Sequence, residues 1–204
     1  MNSRILKSFK SIFEEKSLES YYNYYVSLRD WVIKNQNLFI NELENNKRLI
    51  MLIQLNINDY DLETIGQKNI SLSYEKVRMT ERDYKTTDDL LKEIDSVLWD
   101  MVAVEADIEC DCIDGDPRYI IDQEDNNKIL IECNYCAQLY DINGKKIDKR
   151  LKKYKPATSE DVQYLKVDNR WFSNSLLILW CHGLYLRKLK NDKTSANKYI
   201  YYIR

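Results

Sequence analysis

The sequence predicts an α+β fold with a mostly helical body and a small antiparallel β-hairpin module. The chain has 4 glycines and 2 prolines in 204 residues, which favours long helices over many-stranded sandwiches or barrels. Apolar residues recur at helical spacing in the first half and alternate in period two within 106–148. We therefore expect a single domain over 1–204, comprising a helical part (1–105), the β module (106–148) and C-terminal helices (149–204).

The first three helices are expected before residue 56. The patterns at 3–14 and 18–34 are helical, and in the second the apolar face runs from Tyr21 to Val32 at i, i+4, i+7 and i+11 spacing. Residues 38–55 carry a third helical pattern. The part of it written RLIMLIQLNI fits a buried strand equally well, because periodicity does not distinguish the two for short apolar runs.

The region 57–86 is mixed and polar, and we expect a loop there with one short strand at NISLSYEKV. The clearest helix follows over 87–104. Thr86 and Asp89 form a capping box at its start, and acidic residues in the first turn suit the helix dipole. Its buried stripe is predicted to be Leu90, Ile94, Val97 and Met101.

Alternation predicts strands at YIID, KILIE, AQLYD and KKI, separated by the turns QEDNN and ING. Asn143-Gly144 indicates a type I′ hairpin turn, in which both central residues have positive φ. A basic linker then leads to Pro156. Thr158 with Asp161 caps a predicted helix over 159–166, an apolar helix is expected over 171–189, and the alternating end NKYIYYIR predicts an edge strand.

Four of the 5 cysteines form two close pairs, Cys110/Cys112 and Cys133/Cys136, arranged as C-x-C, twenty residues and C-x-x-C. On an extended strand, residues i and i+2 project to the same face, and the intervening span is long enough for a hairpin that returns the chain. Four thiolates in tetrahedral geometry suit a structural Zn²⁺ and leave no open position for catalysis. Two disulfides, unliganded buried cysteines and an iron–sulfur cluster remain alternatives.

The stretch IECNYCAQLYDINGKKI resembles the knuckle and hairpin of a zinc ribbon, a fold usually written with C-P-x-C-G at the knuckle. The resemblance covers residues 108–148 and implies a structural Zn²⁺ ligated by Cys110, Cys112, Cys133 and Cys136. Asn134 replaces the usual proline, Ala137 replaces the glycine, and the first pair is C-x-C where C-x-x-C is usual. These departures argue against a nucleic-acid-binding ribbon of the transcription-factor type.

Charge is distributed unevenly along the chain, although the net charge is only −2. Residues 51–125 hold 7 Lys/Arg against 20 Asp/Glu, whereas residues 126–204 hold 16 against 7. An acidic segment of this strength attracts basic partners and repels nucleic acid. The alternative is that the acidic and basic segments neutralise each other in the fold.

As a whole, this Tyr/Asn-rich helical chain with a ribbon-like insert resembles the immunity proteins of bacterial polymorphic toxin systems, including contact-dependent growth inhibition. The resemblance implies a non-enzymatic cytoplasmic protein that neutralises a basic toxin domain by protein–protein binding through its acidic surface. The expected partner contacts are Asp107, Glu109, Asp114, Asp116, Asp122, Glu124 and Asp125. The alternative is a nucleic-acid-binding ribbon that uses the basic segment 145–155 together with Tyr140 and Tyr154.

Sequence motifs for catalysis and for targeting are missing. The chain has 1 histidine, which excludes HNH-type nucleases and HExxH proteases, and its glycines are too scattered for a phosphate-binding loop. We expect no signal peptide, because the first 22 residues are charged throughout. The apolar run 171–186 is shorter than the roughly 18–20 residues that a membrane span needs, so we expect a protein of the cytoplasm.

Overall fold

A computed structural model of the protein describes residues 3–14, 20–112, 115–163, 179–181, 184–188 and 199–203. The chain divides into two compact units, Met1–Val102 and Ala103–Arg204. Within the described residues there are eight α-helices and a five-stranded antiparallel sheet, which makes the fold α+β with a helical body, as predicted.

The first unit is helical. Its helices are α1 (Ser3–Lys10), α2 (Tyr21–Asn35), α3 (Ile40–Asn45), α4 (Lys47–Ile53), α5 (Leu62–Asn69), α6 (Leu72–Glu81) and α7 (Thr87–Val102). Short 3₁₀ helices lie at Ser11–Glu14, Gln36–Leu38 and Ile57–Asp59. The ambiguous segment 38–55 is therefore helical and not a strand.

Helix α7 begins as the sequence predicts. The Thr86 N–H donates to Asp89 Oδ2 at 2.9 Å, and the Asp89 N–H donates to Thr86 Oγ1 at 3.0 Å, which completes the capping box. The predicted stripe Leu90, Ile94, Val97 and Met101 is buried. It belongs to a core with many aromatic rings, in which Phe9 meets Trp31 and Tyr84 edge to face.

The prediction of a loop and strand over 57–86 is wrong, because α5 and α6 occupy most of that region. Asp61 caps α5 by accepting a hydrogen bond from the Thr64 N–H at 3.1 Å. On α6 the two buried residues are Met79 and Glu75. A buried carboxylate breaks the apolar pattern that periodicity detects, and here Arg78 neutralises it.

The second unit is built on the five-stranded sheet. Its strands are β1 (Pro117–Asp122), β2 (Lys128–Cys133), β3 (Leu139–Tyr140), β4 (Lys146–Ile147) and β5 (Tyr154–Pro156), in the order β4-β3-β2-β1-β5. The first four form the predicted meander. Every residue of β1 is buried, and this strand pairs with β2 on one side and with β5 on the other. The segment predicted to be a basic linker after this meander thus contributes β5 to the sheet.

The two hairpin turns differ from each other. Asn126 and Asn127 both have positive φ, at 51° and 55°, and the Lys128 N–H donates to the Asp125 carbonyl, as in a type I′ turn. At the second turn the hairpin is present, but the predicted type I′ geometry is wrong. Gly144 alone has a positive φ there, of 75°, which fits a three-residue loop with a left-handed glycine at its end.

After β5 the chain forms α8 (Ser159–Gln163), whose predicted cap is confirmed: the Asp161 N–H donates to Thr158 Oγ1 at 3.1 Å. A second sheet contains β6 (Leu179–Cys181), β7 (Leu184–Lys188) and β8 (Tyr199–Ile203) in sequential order. The prediction of a helix over 171–189 is therefore wrong in its described part. The strand predicted at the C-terminal end is confirmed as β8, at the edge of this sheet.

Candidate metal centre

The four paired cysteines of the second unit lie together. The sulfur atoms of Cys110, Cys112, Cys133 and Cys136 are all within 4.8 Å of one another. The Cys110 and Cys136 sulfurs are 3.4 Å apart, and the Cys112 and Cys133 sulfurs are 3.6 Å apart. Each member of the first pair thus lies beside a member of the second. Four convergent sulfurs from two parts of the chain could hold a metal ion.

The β1–β2 hairpin brings the two pairs together. Its register places Pro117, at the start of β1, opposite Cys133, at the end of β2. Beyond the hairpin, the Asn134 N–H donates to the Asp116 carbonyl at 2.8 Å, which extends the pairing by one step. The segment that carries Cys110 and Cys112 therefore arrives at the end of the sheet where the second pair begins.

Gly115 lets the first pair approach this end. A Cβ atom at Gly115 would lie 2.7 Å from Cys110 Cβ, closer than real Cβ atoms come. Only glycine lets the backbone pass so close to that cysteine. Gly115 is thus part of the site through its missing side chain.

The second pair is carried by a tight knuckle. The Ala137 N–H donates to the Cys133 carbonyl at 2.8 Å, and the Cys133 N–H donates to the Gln138 carbonyl at 2.9 Å. Ala137 has a φ of 57°, in the left-handed region that favours glycine. Because this turn keeps its geometry with alanine in place, it carries backbone strain beside the site.

Hydrogen bonds favour the thiolate form of Cys110. The Tyr140 hydroxyl donates to Cys110 Sγ at 3.2 Å, and Tyr140 is buried. This bond, followed by one from the Cys112 backbone N–H, lowers the pKa of Cys110 to about 6. The pKa of Cys112 is raised, first by its bond to Cys110 and then by desolvation. The four sulfurs differ in exposure as well, since Cys133 is fully buried and Cys136 is exposed.

The acidic residues predicted as partner contacts differ in their solvent exposure. Asp107, Glu109, Glu124 and Asp125 are exposed. Asp116 is half-buried and pairs with Arg118 at 2.8 Å. Asp114 lies outside the described residues. They therefore do not share one environment. Of the exposed ones, Asp107 and Glu109 precede Cys110 in the sequence, whereas Glu124 and Asp125 lie in the β1–β2 turn, at the opposite end of that hairpin from Cys133.

Asp122 must be corrected as a partner contact. Its carboxylate is fully buried, pairs with Lys149 and accepts a hydrogen bond from the Glu124 N–H at 3.0 Å. Desolvation raises the pKa of Asp122, but the hydrogen bonds from Lys149 and from the Glu124 N–H together outweigh it and hold that pKa below its ordinary value. Lys149 also lies 3.5 Å from Asp125, and Lys146 pairs with Asp111. Part of the acidic segment is thus neutralised by the basic segment of the same unit.

Tyr140 must be corrected as a nucleic-acid contact, because a buried ring bonded to a cysteine sulfur does not stack on bases. Its place beside the cysteines is the feature that sequence reasoning missed. Alternation places Tyr140 on β3, opposite Lys146 on β4. No sequence signal indicates that the chain before β1 folds over this strand and brings Cys110 to the hydroxyl.

Among the described residues, no helix is long and apolar enough to cross a membrane. Within the same residues, the four cysteines form the one cluster of potential metal ligands. Comparison of the chain with protein-family models, with curated proteins and with solved structures finds no match in any of the three.

Proposed function

We propose that this chain is a non-enzymatic binding protein whose second unit is held together by a structural Zn²⁺ ion bound to Cys110, Cys112, Cys133 and Cys136. The observation that carries the proposal is the convergence of four sulfurs within 4.8 Å of one another. Thiolates are soft ligands that favour zinc, and four of them complete a tetrahedral shell. Because no position is left open for water or substrate, the site suits a structural role.

Elemental analysis of the full chain, purified without chelator, tests the metal. We expect one zinc per chain, retained when the fifth cysteine, Cys181, becomes serine, and lost in Cys133→Ser. Cys133 is the fully buried ligand and ends β2, so its loss also removes the anchor of the hairpin. If the analysis finds stoichiometric iron and the protein absorbs visible light, the site holds an iron–sulfur cluster and the assignment of zinc is overturned. Metal-free protein with a stable sheet would overturn the proposal.

We further propose that the module is a zinc ribbon with an altered knuckle. Two features support this. The knuckle from Cys133 to Gln138 closes through paired backbone hydrogen bonds, and Ala137 adopts the left-handed conformation at the position where the usual motif has glycine. The β3–β4 hairpin follows at once, as in the ribbon pattern. On this proposal, alanine in place of the usual glycine adds backbone strain to the knuckle, while the two hydrogen bonds keep it closed.

For the biological role, we propose an immunity protein that neutralises a basic toxin domain. Two groups of exposed carboxylates support acidic contacts on the second unit: Asp107 and Glu109 just before Cys110, and Glu124 and Asp125 in the β1–β2 turn. The metal would keep the first group in place. Buried Asp122 and half-buried Asp116, which pairs with Arg118, belong to neither group. The contact set is thus smaller than the sequence predicts.

The test uses the C-terminal domain of a large secreted protein encoded directly upstream of this chain. We expect tight binding with an association rate that falls as salt rises, and a further fall when Glu124 and Asp125 both become lysine. A matched control replaces Glu81 and Asp83 in the first unit by lysine. The proposal would be contradicted if no large secreted protein is encoded directly upstream, or if the association rate does not change with salt concentration.

A second candidate is nucleic-acid binding, which a group of exposed cations favours. Arg150, Lys152 and Lys153 are exposed between β4 and β5. If they follow a phosphate backbone, affinity for single-stranded or duplex probes falls steeply with salt and is lost in the double variant Lys152→Glu, Lys153→Glu. Unchanged affinity in that variant would exclude this use of the segment.

A further inference from the structure

Tyr140 donates a hydrogen bond to one of the four clustered cysteines. Four thiolates complete the coordination of a zinc ion without such a bond, so the contact calls for its own explanation. The Tyr140 hydroxyl lies 3.2 Å from Cys110 Sγ and donates to it. The ring is only 3% exposed, so the hydroxyl does not hydrogen-bond freely with bulk water. A buried phenol that donates to a sulfur ligand is in the position of an outer-shell residue of a metal site.

The sheet fixes this position. Tyr140 pairs with Ile131 on β2 and with Lys146 on β4, so strands hold it on both sides. The Lys146 ammonium in turn pairs with Asp111, which stands between Cys110 and Cys112 in the sequence. The β3–β4 hairpin is therefore tied to the first cysteine pair at two points, one through a sulfur and one through a carboxylate.

A site of four thiolates around Zn²⁺ has a net charge of −2, and it sits at the surface of the unit, where Cys136 is exposed. Hydrogen bonds to the sulfurs spread this charge and orient the ligands. Cys110 also accepts a hydrogen bond from the Cys112 backbone N–H. The Tyr140 hydroxyl is the donor that reaches Cys110 from a side chain outside the four cysteines.

We propose that Tyr140 is a positioning residue of the metal centre, which orients the Cys110 thiolate and reduces its electron donation to the metal through the hydroxyl bond. This rests on the proposed zinc site. The proposal concerns the hydroxyl and not the ring, so Tyr140→Phe removes the bond and keeps the buried aromatic surface.

The experiment measures metal affinity and electronic structure on the full chain. For Tyr140→Phe we expect about a tenfold to hundredfold loss of Zn²⁺ affinity in competition with a chelator, because the loss of the bond that orients the Cys110 thiolate outweighs its stronger electron donation. With Co²⁺ in place of Zn²⁺, we expect the sulfur-to-metal charge-transfer band to move to longer wavelength, because a sulfur without its hydrogen bond donates electrons more readily.

Two controls separate the hydroxyl from general effects. Tyr135→Phe makes the same chemical change within the C-x-x-C knuckle, at a side chain that is 68% exposed, and should leave affinity and band unchanged. Gly144→Ala strains the β3–β4 turn, where φ is 75°, without touching a sulfur. It should lower stability and leave the band in place.

The outcomes distinguish this inference from the proposed zinc site. If the wild-type chain binds neither Zn²⁺ nor Co²⁺, the proposed function fails. If it binds both, and Tyr140→Phe shows wild-type affinity and an unmoved band, the role of Tyr140 is overturned. A band that moves equally in Gly144→Ala would likewise assign the effect to the hairpin and not to the hydroxyl.

Discussion

Arg48 on α4 holds Asp95 on α7 through three hydrogen bonds, with donor–acceptor distances of 3.0 and 2.9 Å from Nε and 2.6 Å from Nη2. The same guanidinium stacks over the ring of Trp99 at 5.2 Å. Asp95 is buried, and desolvation raises its pKa although Arg48 opposes the shift. The planar fork of arginine thus satisfies a buried carboxylate and an aromatic face together.

Removing this arginine, whose carboxylate partner is buried, should cost more than removing an equally exposed arginine whose partner faces solvent. We expect Arg48→Met to lower the free energy of unfolding by about 3 kcal/mol, because it leaves a buried carboxylate without its cation. Arg29 pairs with the exposed Asp30, and Arg29→Met should cost less than about 1 kcal/mol. Urea unfolding of both variants measures the difference, and equal losses would contradict the assigned role of Asp95.

Replacing Gly66 in α5 by alanine should destabilise the protein, although alanine has the higher helix propensity. A Cβ atom there would lie 2.4 Å from Tyr21 Cδ1, and the Tyr21 hydroxyl is held by the Ile70 carbonyl at 2.9 Å. We expect Gly66→Ala to destabilise the protein by about 1–3 kcal/mol through overpacking, although alanine alone would gain about 1 kcal/mol in a helix.

A double-mutant cycle with Tyr21→Ala tests the cause. With the ring removed, Gly66→Ala should become neutral or stabilising in urea unfolding. A loss of the same size in both backgrounds would show that the ring is not what excludes the alanine.

Exchanging alanine and glycine at two positions with positive φ should change the stability of the second unit in opposite directions. At Ala137, φ is 57°, so Ala137→Gly should stabilise the second unit by about 1 kcal/mol. At Gly144, φ is 75° and a Cβ would meet only Ile108, at 3.8 Å, so Gly144→Ala should cost about 1 kcal/mol from the backbone alone. Thermal unfolding of the zinc-loaded chain measures both, and changes of the same sign would refute the assignment.

The capping box of α7 predicts a pH dependence. Hydrogen bonds from Thr86 lower the pKa of Asp89, first from its hydroxyl and then from its backbone N–H. Because the folded-state pKa of Asp89 lies below its unfolded value of about 3.9, the ionised cap stabilises the folded state fully above about pH 3.9. This stabilisation is lost as the pH falls through the folded-state pKa. An NMR titration should show the Asp89 pKa rising towards its ordinary value in Thr86→Ala. An unchanged value would exclude the Thr86 hydroxyl as the main cause of the lowered pKa.

Metal removal should act on the sheet of the second unit. The four cysteines proposed to bind the metal lie before β1, at the end of β2 and in the knuckle, so a chelator would free the segments that hold the meander together. We expect amide exchange of Ile120 and Leu130 to accelerate at least tenfold after chelation, while Leu98 in the first unit stays protected. Protection of Ile120 and Leu130 that persists without metal would contradict a structural role.

The sequence predicts those elements whose local signals and tertiary environment agree. Helix α7 has an uninterrupted apolar stripe and a complete capping box, and cysteine spacing alone indicates the four cysteines that lie together in the structure. Helix α6 was missed because Glu75 occupies a buried position and Arg78, one turn later, satisfies it. The apolar run near Cys181 carries no period that separates a helix from a strand.

Long-range pairing explains the remaining differences. Asp122 looks like a loop residue in the sequence, but β5 places Tyr154 opposite it and Lys149 covers its carboxylate. Tyr140 likewise meets Cys110 only because the chain before β1 returns to the sheet. Neither contact follows from neighbours in the sequence.

The order of the ligands along the chain has a consequence for biosynthesis. The first unit is complete at Val102, before the ribosome has added any of the four cysteines, so it can fold as a domain during synthesis. The last of the four cysteines, Cys136, follows Cys110 by 26 residues, and a site built from all four would form only when all of them have emerged. Metal capture would then come after the helical unit has folded and before β3, β4 and β5 complete the sheet, so the bound ion would serve as a nucleus on which those later strands assemble.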